Sequence, residues 1–266
     1  MIPFENDYLF KKWGINSILM NNFIPYKCES ITPSDLSSKN ILMIGRGDDP
    51  VKRFDMGLKA MPYIIKEIPE CQMIIISEPI QNLKNLVSEL QLENNVKFVG
   101  YTSNPEIYYK NASLHIFPTL AEAFPNILSE TLCYGIPNIL TGLDYVTASK
   151  KGSLITYDDS PLSIANLAIK ILKNKKYRKK LGNEARNYIK QFRNELILEK
   201  WIKVILSIYK GDHFYEEMRK KEQTIKKYDA LKIIRNQIKL LKERRKEFEK
   251  ITIKEIENLT FMENLK

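Results

Sequence analysis

Asn40-Ile41-Leu42-Met43-Ile44-Gly45-Arg46, followed by a helical stretch from Phe54 to Ile68 and then by Met73-Ile74-Ile75-Ile76, decides the fold. Both apolar runs are continuous rather than alternating. A strand of that kind is buried on both faces, which requires a parallel sheet covered by helices on either side. Outward from this unit the pattern repeats: a helix around Leu83 to Leu90, Val96-Lys97-Phe98-Val99, a short helix around Glu106 to Asn111, and Leu114-His115-Ile116-Phe117. A helix from Pro125 to Tyr134, Asn138-Ile139-Leu140 and Ser153-Leu154-Ile155-Thr156 follow, and helices resume at about Pro161. The fold class is α/β: a Rossmann-like parallel sheet with helices on both faces. Pro62 inside the first helical pattern is expected to kink it or split it.

Ligands of such a sheet lie at the carboxyl ends of the strands, near the switch point. The loops that matter are therefore Gly45 to Arg53, Ser77 to Ile80, Gly100 to Pro105, Pro118 to Pro125 and Thr141 to Ala148. Two flanks stand outside the sheet. Residues 1–38 read as the remnant of an N-terminal domain plus a linker, with one strand expected at Asn16 to Met20. Residues 39–211 form the central domain, and 212–266 a charged helical tail with Leu231, Ile234, Ile238, Leu241 and Phe248 in a heptad-like rhythm. The tail is expected to form a short coiled coil, and oligomerisation through it, or to dock as a helix on its own or a partner domain.

The 266 residues, 44% hydrophobic, allow one full core with appendages or two small domains. A net charge of +10 suits nucleic acid, an anionic membrane or a phosphorylated small ligand. Much of it falls between Lys170 and Lys210, including Lys173, Lys175, Lys176, Arg178, Lys179 and Lys180, a region read as a solvated helix face or as a surface for anionic lipid headgroups. No nucleic-acid partner is expected. Cys28, Cys71 and Cys133 are odd in number and widely spaced, so neither a disulfide framework nor a zinc site is expected and a reducing cytosol fits. No apolar run is long enough to span a bilayer, so the expected location is cytoplasmic, with any membrane contact peripheral.

The most specific segment is Glu122-Ala123-Phe124-Pro125-Asn126-Ile127-Leu128-Ser129-Glu130, two carboxylates with seven residues between them across a loop-to-helix junction. Pro125 suits the first helical turn, where a missing N–H has no partner to lose. Glu130 then lies about 7.5 Å along the axis from Pro125. Free N–H groups between the carboxylates offer an anion site, while the carboxylates suit the hydroxyls of flanking sugars. Gly45-Arg46-Gly47 and Lys52-Arg53-Phe54-Asp55 add a flexible loop and cations at the same end of the sheet, suited to a diphosphate leaving group.

At these residues the chain resembles the C-terminal domain of retaining GT-B glycosyltransferases, the large group called glycosyltransferase family four. The resemblance spans about Ile41 to Tyr209. It rests on Gly45-Arg46 with Lys52-Arg53-Phe54-Asp55, on Val96-Lys97-Phe98-Val99-Gly100, on Phe117-Pro118-Thr119, on the two-glutamate segment and on Tyr134-Gly135-Ile136-Pro137. It implies transfer of a sugar from a nucleotide-diphosphate sugar with retention, a hexosyltransferase reaction, with no cofactor or catalytic metal. By the family's pattern Arg46 and Lys52 bind the donor pyrophosphate, Glu122 is the catalytic residue at the donor sugar, and Glu130 holds the ribose. Gly45, Ala123, Phe124, Pro125 and Asn126 are expected as donor-loop contacts. The chain departs from the pattern at Ser77-Glu78-Pro79, where the family often has a glycine-rich turn, and at Ala123, where it usually has glycine. The resemblance also implies an N-terminal acceptor-binding domain or partner chain, needed for turnover and not recognisable here. The alternative is a non-catalytic truncated or split subunit that binds nucleotide or partners through its helical tail.

The remaining candidates read as structural. Asp48-Asp49 and Asp158-Asp159 are turn chemistry rather than metal ligands. His115 is a packed or hydrogen-bonded sheet histidine, and His213 has no companion ligand. Ser129 lacks a triad, and no Gly-x-Gly-x-x-Gly follows the first strand. Tyr101, Tyr108 and Tyr109 suit either a nucleobase stack or the core, and Trp201 suits docking of the last helices onto the sheet or across to another domain.

Overall fold

The computed structural model describes residues 13–14, 18, 20–24, 27–78, 80–122, 124–142 and 151–211. The tail 212–266 with its expected coiled coil, most of the expected strand at 16–20, Ala123 and most of the loop up to Ala148 lie outside the described residues.

Among the described residues six strands form one sheet: β1 (Asn40–Ile44), β2 (Gln72–Ile76), β3 (Val96–Phe98), β4 (Leu114–Phe117), β5 (Asn138–Thr141) and β6 (Ser153–Thr156). Their order is β3-β2-β1-β4-β5-β6, and every neighbouring pair is parallel. The helices are α1 (Phe54–Glu67), α2 (Gln81–Glu89), α3 (Glu106–Lys110), α4 (Asn126–Cys133), α5 (Pro161–Lys173), α6 (Lys175–Ile189) and α7 (Asn194–Lys210). Short 3-10 turns occupy Pro50–Lys52 and Lys190–Phe192.

Successive strand residues point to opposite faces, and the core divides accordingly. Ile41 and Met43 of β1 join Met73, Ile75, Leu114 and Ile116 against α1 and α5. Leu42 and Ile44 face the other way, with Tyr109 of α3 and with Tyr134 and Ile136 just after α4. A third cluster beyond β4 and β5 brings Phe117 and Leu140 to Leu128 and Leu132 of α4, Ala185 and Ile189 of α6, and Ile24 and Cys28 of the N-terminal segment. Burial on both faces is what the continuous apolar runs require.

Three expectations are corrected. Of the two outcomes expected of Pro62, a kink or a split, the split is overturned, since α1 is continuous from Phe54 to Glu67. The loss of one hydrogen bond costs about 3 kcal/mol, whereas Leu58, Met61 and Ile64 are all fully buried and each contributes about 1.5–3 kcal/mol. Arg178 is not on a solvated face. Its side chain is buried and donates from Nε to the Leu36 carbonyl at 2.9 Å and from Nη1 to those of Ile171 and Leu172. The neighbouring lysines 173, 175, 176, 179 and 180 are exposed as expected. Finally, Cys28 and Cys133, 105 residues apart, are paired as a disulfide with their Cα atoms 4.9 Å apart, so the absence of pairing expected from their spacing does not hold. Cys71 is free and buried.

Arg186 reinforces the same junction by donating to the carbonyls of Ile31, Cys133 and Cys28. The N-terminal segment is thereby tied to α4 and α6. The last helix differs: on α7, Ile197 and Val204 are buried, while Leu198, Trp201, Ile202, Ile205 and Ile208 are exposed, so Trp201 does not dock this helix onto the sheet. Among the described residues no helix is long and apolar enough to cross a membrane.

Candidate functional site

The strand order reverses direction between β1 and β4. In open sheets of this kind the crevice that receives a ligand lies at such a switch point, outside the carboxyl ends of the strands. From β1 the chain enters Gly45, whose φ of +152° favours glycine, and turns through Arg46 to Asp49. Gly47 is demanded by space: a Cβ there would stand 2.5 Å from the Ser77 Oγ. The Gly47 N–H instead donates to that hydroxyl at 2.7 Å. Ser77 lies in the segment that departs from the family's glycine-rich turn, so the substitution is matched by a hydrogen bond between the β1 and β2 loops.

Asp49 is the turn residue expected. Its carboxylate accepts from the Val51 N–H at 2.9 Å, capping the Pro50–Lys52 turn, and from Arg46 Nη2 at 2.8 Å. The Arg46 side chain is otherwise 77% exposed at the rim. Arg53 takes a left-handed conformation, with φ of 52°, and pairs with Asp159 beyond β6. That ion pair assigns both residues to loop closure. Val51 is also where the two loops join: its carbonyl accepts from the Leu120 N–H at 2.9 Å and from the Thr119 hydroxyl at 3.2 Å.

This stitching brings Lys52 to Glu122. The two are ion-paired across 70 residues of sequence, with both side chains largely shielded. Beyond Glu122 the loop leads through Phe124 and Pro125 into α4. Pro125 is the N-cap, one position ahead of the first helical turn where it was expected, and its φ of −72° with ψ of 119° is extended. A proline side chain has no acceptor with which to cap the helix, so the first N–H groups of α4 keep no side-chain partner from that position. Phe124 packs edge-on against Phe192, ring centroids 5.4 Å apart. Asn126 accepts through Oδ1 from Asn22 Nδ2 at 3.2 Å, and the same amide donates to the Phe124 carbonyl at 3.1 Å.

Glu130 lies on the inner side of α4. Burial pushes its carboxyl above the ordinary glutamate range, and a hydrogen bond from the Tyr109 hydroxyl to Oε2, at 2.5 Å, opposes that rise. Tyr109 itself is fully buried and stacked on Tyr134 with centroids 4.9 Å apart, which places it in the core rather than beneath a base; Tyr101 is highly exposed. His115 is likewise internal. Its Nδ1 lies 2.8 Å from Asn138 Oδ1, an atom that can only accept, so the proton is on Nδ1. Its buried Nε2 has no partner, and burial lowers its pKa to about 4. Among the described residues no group of three or more His, Cys, Asp or Glu side chains is arranged to hold a metal ion.

The sequence signature described as "Glycosyl transferases group 1" matches residues 29–188, more than half of the chain and all six strands. The chain belongs to the glycosyl transferases group 1. An uncharacterized glycosyltransferase of Haemophilus influenzae is 24% identical over 172 residues, which cover 62% of this chain and 48% of that relative. The chain spans about half the length of that curated relative. The fold is shared with a mutant of S. aureus TarM in complex with fondaparinux, α-GlcNAc-glycerol and UDP (TM-score 0.66, 18% identity, 75% of this chain and 41% of that one). It is shared too with the pneumococcal O-GlcNAc transferase GtfA in complex with UDP and GlcNAc (TM-score 0.62, 20% identity, 77% and 44%).

In this group 1 chain Gly45, Arg46 and Lys52 follow β1, Glu122, Pro125 and Asn126 follow β4, and Glu130 lies within α4. The fold joins Lys52 to Glu122 directly, packs Phe124 against Phe192, and leaves Arg46 in its own loop; Ala123 is outside the described residues. Sequence reasoning missed Asn22, the hydrogen bond between Gly47 and Ser77 and the contact of Tyr109 with Glu130. Asn22 stood in a flank with no local signal. Tyr109 did carry one, since it falls at the last turn of a short helix directly before β4.

Proposed function

We propose that this chain is the nucleotide-sugar-binding half of a hexosyltransferase that uses a nucleoside-diphosphate sugar and retains the anomeric configuration. The observation that carries the reading is the Lys52–Glu122 pair at the β1/β4 switch point, beside a helix start without a side-chain cap. A cation and a carboxylate neutralise each other there until a ligand separates them. A donor does so in the correct sense: its diphosphate takes Lys52 and the N–H groups of α4, and its sugar hydroxyls donate to Glu122. Arg46 at the rim exchanges Asp49 for the phosphate, and Glu130 accepts from the ribose hydroxyls. Gly45 and Asn126 line the approach. Lys52, Arg46 and the α4 N–H groups stabilise charge as the diphosphate departs, in the place a metal occupies in other transferases. An acceptor-binding domain or partner chain completes the cleft, and the exposed apolar side of α7 is a surface such a half would cover.

The test is thermal stabilisation of the full chain by UDP, GDP, ADP and their sugar conjugates. UDP comes first because TarM and GtfA are each described in complex with it. At about a thousand times its dissociation constant the correct ligand adds roughly 4 kcal/mol. Arg46→Ala and Glu130→Ala are expected to abolish the response without lowering the unliganded melting temperature of the first variant. No response to any diphosphate, or undiminished responses in both variants, would remove the site assignment.

A further inference from the structure

We infer that Tyr109 is a positioning residue of the nucleotide site, acting through Glu130: its hydroxyl fixes Glu130 Oε2 and leaves Oε1 to meet the ligand. This rests on the reading of Glu130 as the ribose-binding carboxylate.

The geometry comes from three elements. Tyr109 ends α3 and is fully buried. Its ring is held in the core by the stack on Tyr134, directly after α4, and by packing with Leu42, Ile44, Ile76 and Ile136. The hydroxyl therefore arrives at Glu130 from a rigid body with few rotamers to lose. Oε1 of Glu130 accepts no hydrogen bond from the described residues, and it is not among the buried side-chain atoms left without a partner. One oxygen is anchored inside the protein and the other is left without a hydrogen bond from the described residues. A glutamate on α4 without this anchor would sample several rotamers, and a ribose diol would have to order it on binding.

The hydroxyl also acts on charge. Burial favours the neutral acid, whereas a donor bonded to Oε2 favours the carboxylate, and only the carboxylate accepts from two ribose hydroxyls without itself donating. The other titratable groups around this part of the fold are engaged elsewhere. Lys52 from the β1 loop pairs with Glu122, Arg186 from α6 with backbone carbonyls, and His115 from β4 with Asn138. Tyr108 lies at the edge of the same apolar cluster, and Tyr134 stacks on the Tyr109 ring. Tyr109 is the neighbour positioned to keep Glu130 ionised.

Tyr109→Phe removes one oxygen and keeps the ring. In the unliganded full chain, carbon-13 NMR of the glutamate carboxyls is expected to show Glu130 titrating at a higher pH in this variant than in the wild type, because the hydroxyl that opposes the effect of burial is gone. UDP affinity is expected to fall in this variant, and to fall further as the pH is lowered and the neutral acid gains population. A Tyr109→Phe/Glu130→Gln double variant should bind UDP no more weakly than Glu130→Gln, because the hydroxyl acts only through that carboxylate. A Glu130 titration identical in wild type and Tyr109→Phe overturns the inference, and so does an affinity loss that is independent of pH and additive with Glu130→Gln. If the wild type does not bind UDP, or Glu130→Gln binds it equally well, the ribose assignment of Glu130 falls and the role of Tyr109 with it. The ligand-free titration separates that failure from the former.

Discussion

His115 and Gly47 show what single residues decide. His115 is buried and neutral, with its pKa lowered from 6.5 to about 4 by burial. The unfolded chain therefore binds a proton between those values that the folded chain refuses. Its contribution is complete above about pH 6.5 and is lost as the pH falls toward 4, in total about 3 kcal/mol. Urea unfolding at pH 7.5 and pH 5 is expected to show a larger loss of stability in the wild type than in His115→Gln; equal losses would assign the acid sensitivity elsewhere. Gly47→Ala drives a Cβ against the Ser77 hydroxyl and breaks the bond between the β1 and β2 loops. A destabilisation of about 1–3 kcal/mol is expected, read as a lowered denaturant midpoint. The packed role of His115 was legible from its place between apolar strand residues. Its partner was not, because Asn138 lies on a different strand and reaches it only through the β4/β5 register.

At the scale of elements, α6 illustrates how composition conceals a structural residue. Lys175-Lys176-Tyr177-Arg178-Lys179-Lys180 reads as one basic face, yet Arg178 shares a side of the helix with Leu181 and Ala185, three and seven positions on, both buried. That spacing was the available signal. Arg178 satisfies three carbonyls, including two at the end of α5, and so closes α5 against α6 and the linker at Leu36. Arg178→Met leaves those carbonyls without their donor and is expected to cost about 3 kcal/mol or more by chemical denaturation. Arg178→Lys is expected to recover only part of that, since a single ammonium cannot reproduce the planar fork. Lys176→Met, on the exposed side, should change stability by no more than about 0.5 kcal/mol. The boundaries of the elements up to β6 were legible to within a residue or two, because burial periodicity specifies them, whereas the three helices after it were expected only as a group beginning at about Pro161. Pro62 misled because its local penalty is small against the buried side of α1.

Over the whole molecule, the Cys28–Cys133 pair closes a loop of more than a hundred residues and ties the N-terminal segment to the end of the helix that carries Glu130. Cys28→Ser is expected to lower stability by about 2–4 kcal/mol under non-reducing conditions, and to have a much smaller effect with excess dithiothreitol, both followed by thermal melting. Cys71, whose thiol burial pushes up to about 12, should resist alkylation until the chain unfolds. By itself the sequence determined the doubly wound parallel sheet and the loops that leave the carboxyl ends of its strands, because continuous apolar runs and loop-to-helix junctions are local properties. The tertiary structure alone decided that Lys52 meets Glu122, that Tyr109 meets Glu130, which carbonyls Arg178 satisfies and that Cys28 meets Cys133. Those partners are selected by strand order, register and packing, whereas local spacing marks only which side of its element a residue occupies.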